Sequence, residues 1–122
     1  MEKLNKNQLT NLFKKGTNEL NNGDPLKAIE CYKKILFIKK NNEVVLNNLS
    51  YAYFIIGDYI NSEKSILKAI DINKNNPNFY YNLGNLYKRV SRLDVAIKNY
   101  DMAISLEPNN HNYYYNKGYV LL

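Results

Sequence analysis

Residues 77–110 read PNFYYNLGNLYKRVSRLDVAIKNYDMAISLEPNN, and their punctuation specifies two helices. Asn76 followed by Pro77 pairs a capping side chain with a proline in the first turn, which opens a helix. Ser91 with Asp94 three residues on resembles a capping box and opens a second. Gly84 on the first helix and Ala96 on the second are small, so two helix axes can approach closely where they cross. Tyr100 fills the space beside that crossing. Asn109 and Asn110 close the unit, because asparagine tolerates left-handed backbone and caps helices well.

The same features recur outward at a spacing of about 34 residues, and internal repetition is the first property to test in a chain of this kind. Gly16, Ser50, Gly84 and Gly118 form one small column; Ala28, Ser62 and Ala96 form another. Tyr32, Ile66 and Tyr100 are all large. Gly23, Gly57 and Ser91 share a phase suited to ending a helix or capping one. The doublets Asn41–Asn42, Asn75–Asn76 and Asn109–Asn110 share another. In Gly23–Asp24–Pro25, the glycine ends one helix, while Asp and Pro open the next. The resulting expectation is an all-α chain with helices near 8–22, 25–39, 43–56, 59–73, 77–90, 92–106 and 111–122, and no strand.

In residues 77–110, Tyr80, Leu83, Gly84, Tyr87, Ala96, Tyr100, Ala103 and Pro108 stand where tetratricopeptide repeats place their aromatic, Leu-Gly, Tyr, Ala, aromatic, Ala and Pro residues. The stretch resembles that family with one change of type, tyrosine for the usual tryptophan. Leu46, Leu49, Ser50, Tyr53, Ser62 and Ala69 carry the pattern less fully in the unit before it. Leu12, Gly16, Ala28 and Tyr32 carry it in the first, where Lys15 and Glu19 replace apolar residues. The resemblance implies a single domain over 1–122: a right-handed superhelical solenoid of antiparallel helix pairs, with repeats near 9–42, 43–76 and 77–110. Residues 111–122 form a partial fourth repeat. Lys15 and Lys117 replace the leucine of the inner repeats, as suits solenoid ends that face water. The helix over 111–122 lacks its partner, so it acts as a cap, belongs to a longer repeat protein, or pairs with a second copy.

In the family, the face of each first helix opposite its packed side lines a concave groove. Leu46, Leu49, Ser50 and Tyr53 share the packed side of 43–56. The opposite side carries Val44, Asn48, Tyr51 and Ile55, flanked by Asn47 and Phe54. The equivalent groove residues are Asn78, Tyr81, Asn82, Asn85, Lys88 and Arg89 in the third unit, and Asn112, Tyr115, Asn116, Tyr119 and Leu122 in the fourth. Asn48, Asn82 and Asn116 form a ladder whose amides, each both donor and acceptor, can pair with a peptide backbone. Tyrosines add wide contact area with a polar tip. Lys88 and Arg89 can favour an acidic ligand residue; Val44, Tyr51, Phe54 and Ile55 can accept an apolar one. A structural reading stands beside this: the ladder amides bond to neighbouring helices, Phe54 and Ile55 pack between helices, Lys88 and Arg89 are a solvated face, and Tyr113–Tyr115 pack. Some members of the family hold the acidic tails of heat-shock chaperones in a carboxylate clamp. Its positions fall here on Phe13, Thr17, Asn48, Asn78 and Asn82, of which only Asn48 fits, so a chaperone tail is disfavoured.

Composition narrows the function classes. The net charge of +6 comes without any block of five like charges, and a lysine-rich solvated surface accounts for it. Nucleic-acid binding would follow from charge alone, and the neutral asparagines of the groove argue against it. One cysteine, Cys31, and one histidine, His111, permit neither an internal disulfide nor a metal cluster. No Ser/Cys/His constellation or phosphate loop points to an enzyme or a cofactor. Met1–Gln8 carries no apolar signal region, and the apolar run Tyr51–Ile56 is far too short to span a bilayer. The expectation is an intracellular, cytoplasmic protein-interaction module or scaffold that binds a peptide segment in its groove. The alternative is a structural or self-associating repeat segment of a larger protein, joined through the open face of 111–122.

Overall fold

The turns between paired helices explain the architecture. A computed structural model describes residues 3–121. At each turn a residue with positive φ follows the helix: Gly23 at 84°, Gly57 at 82° and Ser91 at 63°. Each turn makes the same two backbone bonds. Gly23 N donates to Leu20 O and Asp24 N to Glu19 O; Gly57 N donates to Phe54 O and Asp58 N to Tyr53 O; Ser91 N donates to Lys88 O and Arg92 N to Tyr87 O. This is the Schellman arrangement, which satisfies carbonyls at a helix end and reverses the chain.

The helices joined in this way are α1 (Lys6–Asn21) with α2 (Pro25–Ile38), α3 (Glu43–Ile55) with α4 (Tyr59–Ile72), and α5 (Pro77–Arg89) with α6 (Leu93–Leu106). A final helix, α7 (His111–Leu121), has no second member among the described residues. Pairs are linked by the asparagine doublets. Asn42 accepts from Val45 N, Asn76 from Asn78 N and Asn110 from Asn112 N, so the same column starts α3, α5 and α7. Each helix packs on its partner and on the next pair, which makes the chain an all-α solenoid of three helix pairs and a last helix.

Two starts depart from the sequence expectation. The helix expected from residue 8 begins at Lys6, because Asn5 and Gln8 form a capping box with both bonds at 2.8 Å. The capping box expected from Ser91 and Asp94 does not form. Ser91 supplies the left-handed turn residue instead, and Arg92 occupies the N-cap position of α6 with no side-chain cap bond. At the two equivalent turns Asp24 and Asp58 cap α2 and α4. The end of the helix expected at 122 lies outside the described residues.

A side chain in left-handed backbone carries a steric penalty that glycine avoids. Ser91→Gly is therefore expected to stabilise the protein by about 0.5–1 kcal/mol, read as a raised urea midpoint. An unchanged or lowered midpoint would show that the turn has relaxed around serine.

The core lies in two clusters, each crossing from one helix pair into the next. Ala28, Ile29, Tyr32 and Ile35 of α2 pack with Val45, Leu49, Ala52 and Tyr53 of α3. Leu46 of α3 joins Ile66 and Ala69 of α4, Phe79, Leu83, Leu86 and Tyr87 of α5, and Ala96 and Tyr100 of α6. Where the large residue is tyrosine, the facing position is glycine: a Cβ on Gly84 would sit 2.6 Å from Tyr100 Cε1, and one on Gly16 would sit 2.9 Å from Tyr32 Cε1. Where it is the shorter Ile66, the facing residue is Ser50. Its hydroxyl donates to Ser62 O at 2.7 Å, and the Ser62 hydroxyl donates back to Ser50 O at 2.8 Å. Gly118 has nothing within 4 Å of its would-be Cβ, since no helix packs against that side of α7 among the described residues.

Candidate functional site

Helices α3, α5 and α7 lie side by side, and the sequence-derived groove residues form a continuous face along them. Val44, Tyr51, Asn78, Arg89, Tyr115 and Tyr119 are exposed; Asn47, Asn48, Phe54, Tyr81, Asn82, Asn85, Lys88 and Asn116 are half-buried. Leu122, also assigned to this face, lies outside the described residues.

The half-buried amides are cross-linked between helices. Asn82 Nδ2 donates to Asn47 Oδ1 at 2.8 Å, joining α5 to α3. Asn116 Nδ2 donates to the Tyr81 hydroxyl at 3.0 Å, joining α7 to α5 one repeat further on. Lys88 Nζ donates to Asn116 Oδ1 at 2.9 Å, and the Tyr113 hydroxyl donates to Asn78 Oδ1 at 3.2 Å. The tyrosines behind the face are anchored in the same way. Tyr100 donates to Asn85 Oδ1 at 2.6 Å, and the Tyr32 hydroxyl lies 3.0 Å from Thr17 Oγ1. Burial pushes the Tyr32 phenol up, an effect partly offset by Thr17 and then Asn48 beside it.

The ladder thus has a structural use, and it leaves some amide valences unused. Among the described residues Asn82 Oδ1 has no partner, and Asn85 Nδ2 has none. Lys88 is held over the Tyr119 ring at 5.5 Å, and burial, then the neighbouring Arg89 charge, lowers its ammonium. Arg89 lies over Phe54 at 5.4 Å, and neither cation meets a carboxylate among the described residues. Phe54 packs against the core, while Ile55 is exposed. Of the three adjacent tyrosines only Tyr113 is buried, its ring 5.0 Å from that of Tyr81; Tyr114 and Tyr115 face outward.

At the first junction the ladder is interrupted. The position that holds Asn47 in α3 and Tyr81 in α5 holds Phe13 in α1, which has no hydrogen-bonding group to offer α3. Here a pocket of about 820 Å³ opens between α1, the end of α2 and the start of α3. Its lining includes Leu9, Phe13, Ile35, Ile38, Val44 and Val45, with Lys6, Lys39 and Lys40 at its edge. Sequence reading placed Val44 on the groove face and Phe13 only at a clamp position that it does not fit. The others come from three separate helix ends, and their apolar side chains carry the ordinary spacing of packed positions.

Among the described residues no cluster of His, Cys, Asp and Glu could hold a metal ion, and no helix is long and apolar enough to cross a membrane.

A solenoid of helix pairs with a polar, aromatic-rich face along its first helices defines a helical-repeat protein. The family description Tetratricopeptide repeat matches residues 77–110, and a second, TPR repeat, matches residues 51–91. This chain belongs to the tetratricopeptide repeat family. It is similar to the first such domain of Spaghetti (RPAP3), solved bound to the HSP90 peptide SRMEEVD, with 25% identity over 96% of this chain and 93% of that one and a TM-score of 0.89. MamA aligns at 28% identity over 93% of this chain and 67% of that one, TM-score 0.87. The O-GlcNAc transferase of Thermobaculum terrenum shares the fold at 20% identity, covering 99% of this chain but 23% of the other, TM-score 0.91. No curated protein sequence matches the chain.

Proposed function

We propose that this chain is a protein-interaction module that holds an extended peptide along the face of α3, α5 and α7. The observation that carries this reading is the row of amides with unused valences, Asn82 Oδ1 and Asn85 Nδ2, beside exposed Tyr51 and Tyr119. A backbone carbonyl and N–H could exchange bonds with such amides whatever the ligand side chains, while tyrosines contribute area at low entropic loss. The repeats of about 9–42, 43–76 and 77–110, with the partial repeat 111–122, supply successive rungs. Relatives solved with chaperone peptides support a peptide ligand in general. A chaperone tail is not favoured, because Thr17, Asn78 and Asn82 at the clamp positions are uncharged and each is bonded to a neighbouring side chain.

Selection from a large peptide library is expected to enrich a motif on the wild type that is lost with Asn48→Ala and Asn82→Ala together. Because Asn82 also bonds to Asn47, Tyr51→Ala serves as a second variant that breaks no side-chain hydrogen bond among the described residues. Loss of the motif in both supports the groove; enrichment that neither variant changes refutes it.

Self-association is favoured by one observation: Tyr114, Tyr119 and Leu121 of α7 are exposed around a Gly118 that nothing covers among the described residues. Light scattering at high concentration decides it, since a monomer there removes this reading.

A further inference from the structure

The positive charge of this protein is concentrated at one end. Residues 1–42 contain nine lysines and four carboxylates, whereas residues 43–122 contain eight cations and seven carboxylates, so the first repeat carries almost the whole net charge. Three of those lysines, Lys6, Lys39 and Lys40, border the pocket at the first junction, against a single lining carboxylate, Glu43. The ion pairs among the described residues engage Lys27, Lys34, Lys74 and Lys117, none of them at this rim.

Beneath the rim the pocket is mainly apolar, with Thr10, Asn41 and Asn42 also in its lining. Ile35 and Val45 are buried, Leu9 and Phe13 are half-buried, and Ile38 and Val44 are exposed at the lip. At about 820 Å³ the space lies within the range of ligand pockets, which combine apolar walls with a few convergent polar groups. Lys6 is also poorly placed for its own helix, since a cation in the first turn opposes the helix dipole.

We propose that this pocket binds an acidic peptide segment by an apolar anchor: an aliphatic or aromatic side chain enters between Phe13 and Val44, and flanking Asp or Glu carboxylates pair with Lys6, Lys39 and Lys40. The site adjoins the asparagine face, sharing Val44 with it and taking Phe13 from the column of Asn47 and Tyr81, and does not depend on the amides that carry that reading. The cations stand outside the residues that would form a carboxylate clamp, so the ligand is an internal acidic segment with no need of a free C-terminus. The rim lysines would meet phosphates as readily as carboxylates, but the apolar floor is used only by a ligand that brings an apolar side chain among its acids, as a peptide does. A recessed floor gives a bilayer no protruding wedge.

The test is a ¹⁵N NMR titration with the blocked peptide acetyl-Asp-Glu-Phe-Leu-Glu-Asp-amide. Shifts are expected at the start of α1, the end of α2 and the start of α3. Affinity is expected to fall by about tenfold or more in a Lys39→Glu, Lys40→Glu double variant and to weaken with salt. Both lysines are exposed, so the fold should survive; Val44→Asp, also at an exposed position, is the second variant and is expected to lose binding too. A peptide with serines for Phe and Leu, and one with lysines for the acids, should both fail. The proposal is overturned by no shifts at millimolar peptide, by equal binding of the basic peptide, or by tighter binding of an oligoribonucleotide at the same residues. Shifts confined to Asn82, Asn85 and Lys88 would overturn it too, while leaving the groove reading standing. Loss of the library motif on the groove variants with the pocket silent separates the two the other way.

Discussion

Gly84→Ala is expected to destabilise the protein by about 2–3 kcal/mol, because the added methyl has nowhere to go. Its carbon would sit 2.6 Å from Tyr100 Cε1 and 2.7 Å from Cδ1. The Tyr100 ring is fully buried, and its hydroxyl is fixed on Asn85 Oδ1 at 2.6 Å, so the ring cannot swing aside without stranding that bond. Gly16→Ala should be milder, since its nearest contact is 2.9 Å. Gly118→Ala meets nothing and should gain up to about 1 kcal/mol of local helix stability. The second repeat indicates the rescue: Ser50 coexists with Ile66 and bonds across to Ser62. Gly84→Ser combined with Tyr100→Ile should therefore lose clearly less than the two single changes added together, a coupling that double-mutant cycles measure. Urea unfolding of these variants decides the matter. If Gly84→Ala proves neutral, α5 and α6 can separate without loss and the close crossing is not what holds the pair.

The second large effect is expected at Tyr113. It is the buried residue of α7, 1% exposed, with its ring against Tyr81 and its hydroxyl on Asn78. Truncation of such an aromatic to alanine costs about 3–5 kcal/mol in a core. Here the helix is terminal and touches its neighbours on one side, so the loss should appear as undocking of α7 with the rest of the stack intact. Hydrogen exchange is the measurement: in Tyr113→Ala the α7 amides should lose protection while those of α3 and α4 keep theirs. What remains is exposed or half-buried: the Lys117–Asp101 pair at 2.7 Å, worth at most about 1 kcal/mol, the Asn116 bonds to Tyr81 and Lys88, and the packing of Val120. Equal loss of protection throughout would mean that α7 is part of one cooperative unit.

The fold was legible because each repeat writes its crossing and its turns in residue types with few other uses. Gly16, Gly84 and the facing tyrosines announce close helix approach, and Asn42, Asn76 and Asn110 act as the caps their type suggests. Ser91 misled because serine is a better cap than turn residue on propensity, and only the backbone reveals the positive φ. Asn5 and Gln8 were passed over because the apolar pattern begins later than the helix does. The groove face was legible as a row of positions. Its internal bonds were not, since Asn47 and Asn82 belong to different repeats and sequence alone does not say which amide turns toward which. The pocket was the least legible feature: at a clamp position Phe13 reads only as a missing cation, and the apolar residues it joins from three helix ends come together only in three dimensions.

Gly118 leaves one side of α7 shaped like an unfilled mould. Gly16 and Gly84 each receive a tyrosine ring from the helix that follows, and the open space beside Gly118 would make the same recess once a further helix packed there. That side of α7 is therefore open to a further helix. An added helix that brings a tyrosine to that recess, fused or free, would lengthen the array by the rule that built it, and the length of the assembly becomes adjustable by protein engineering.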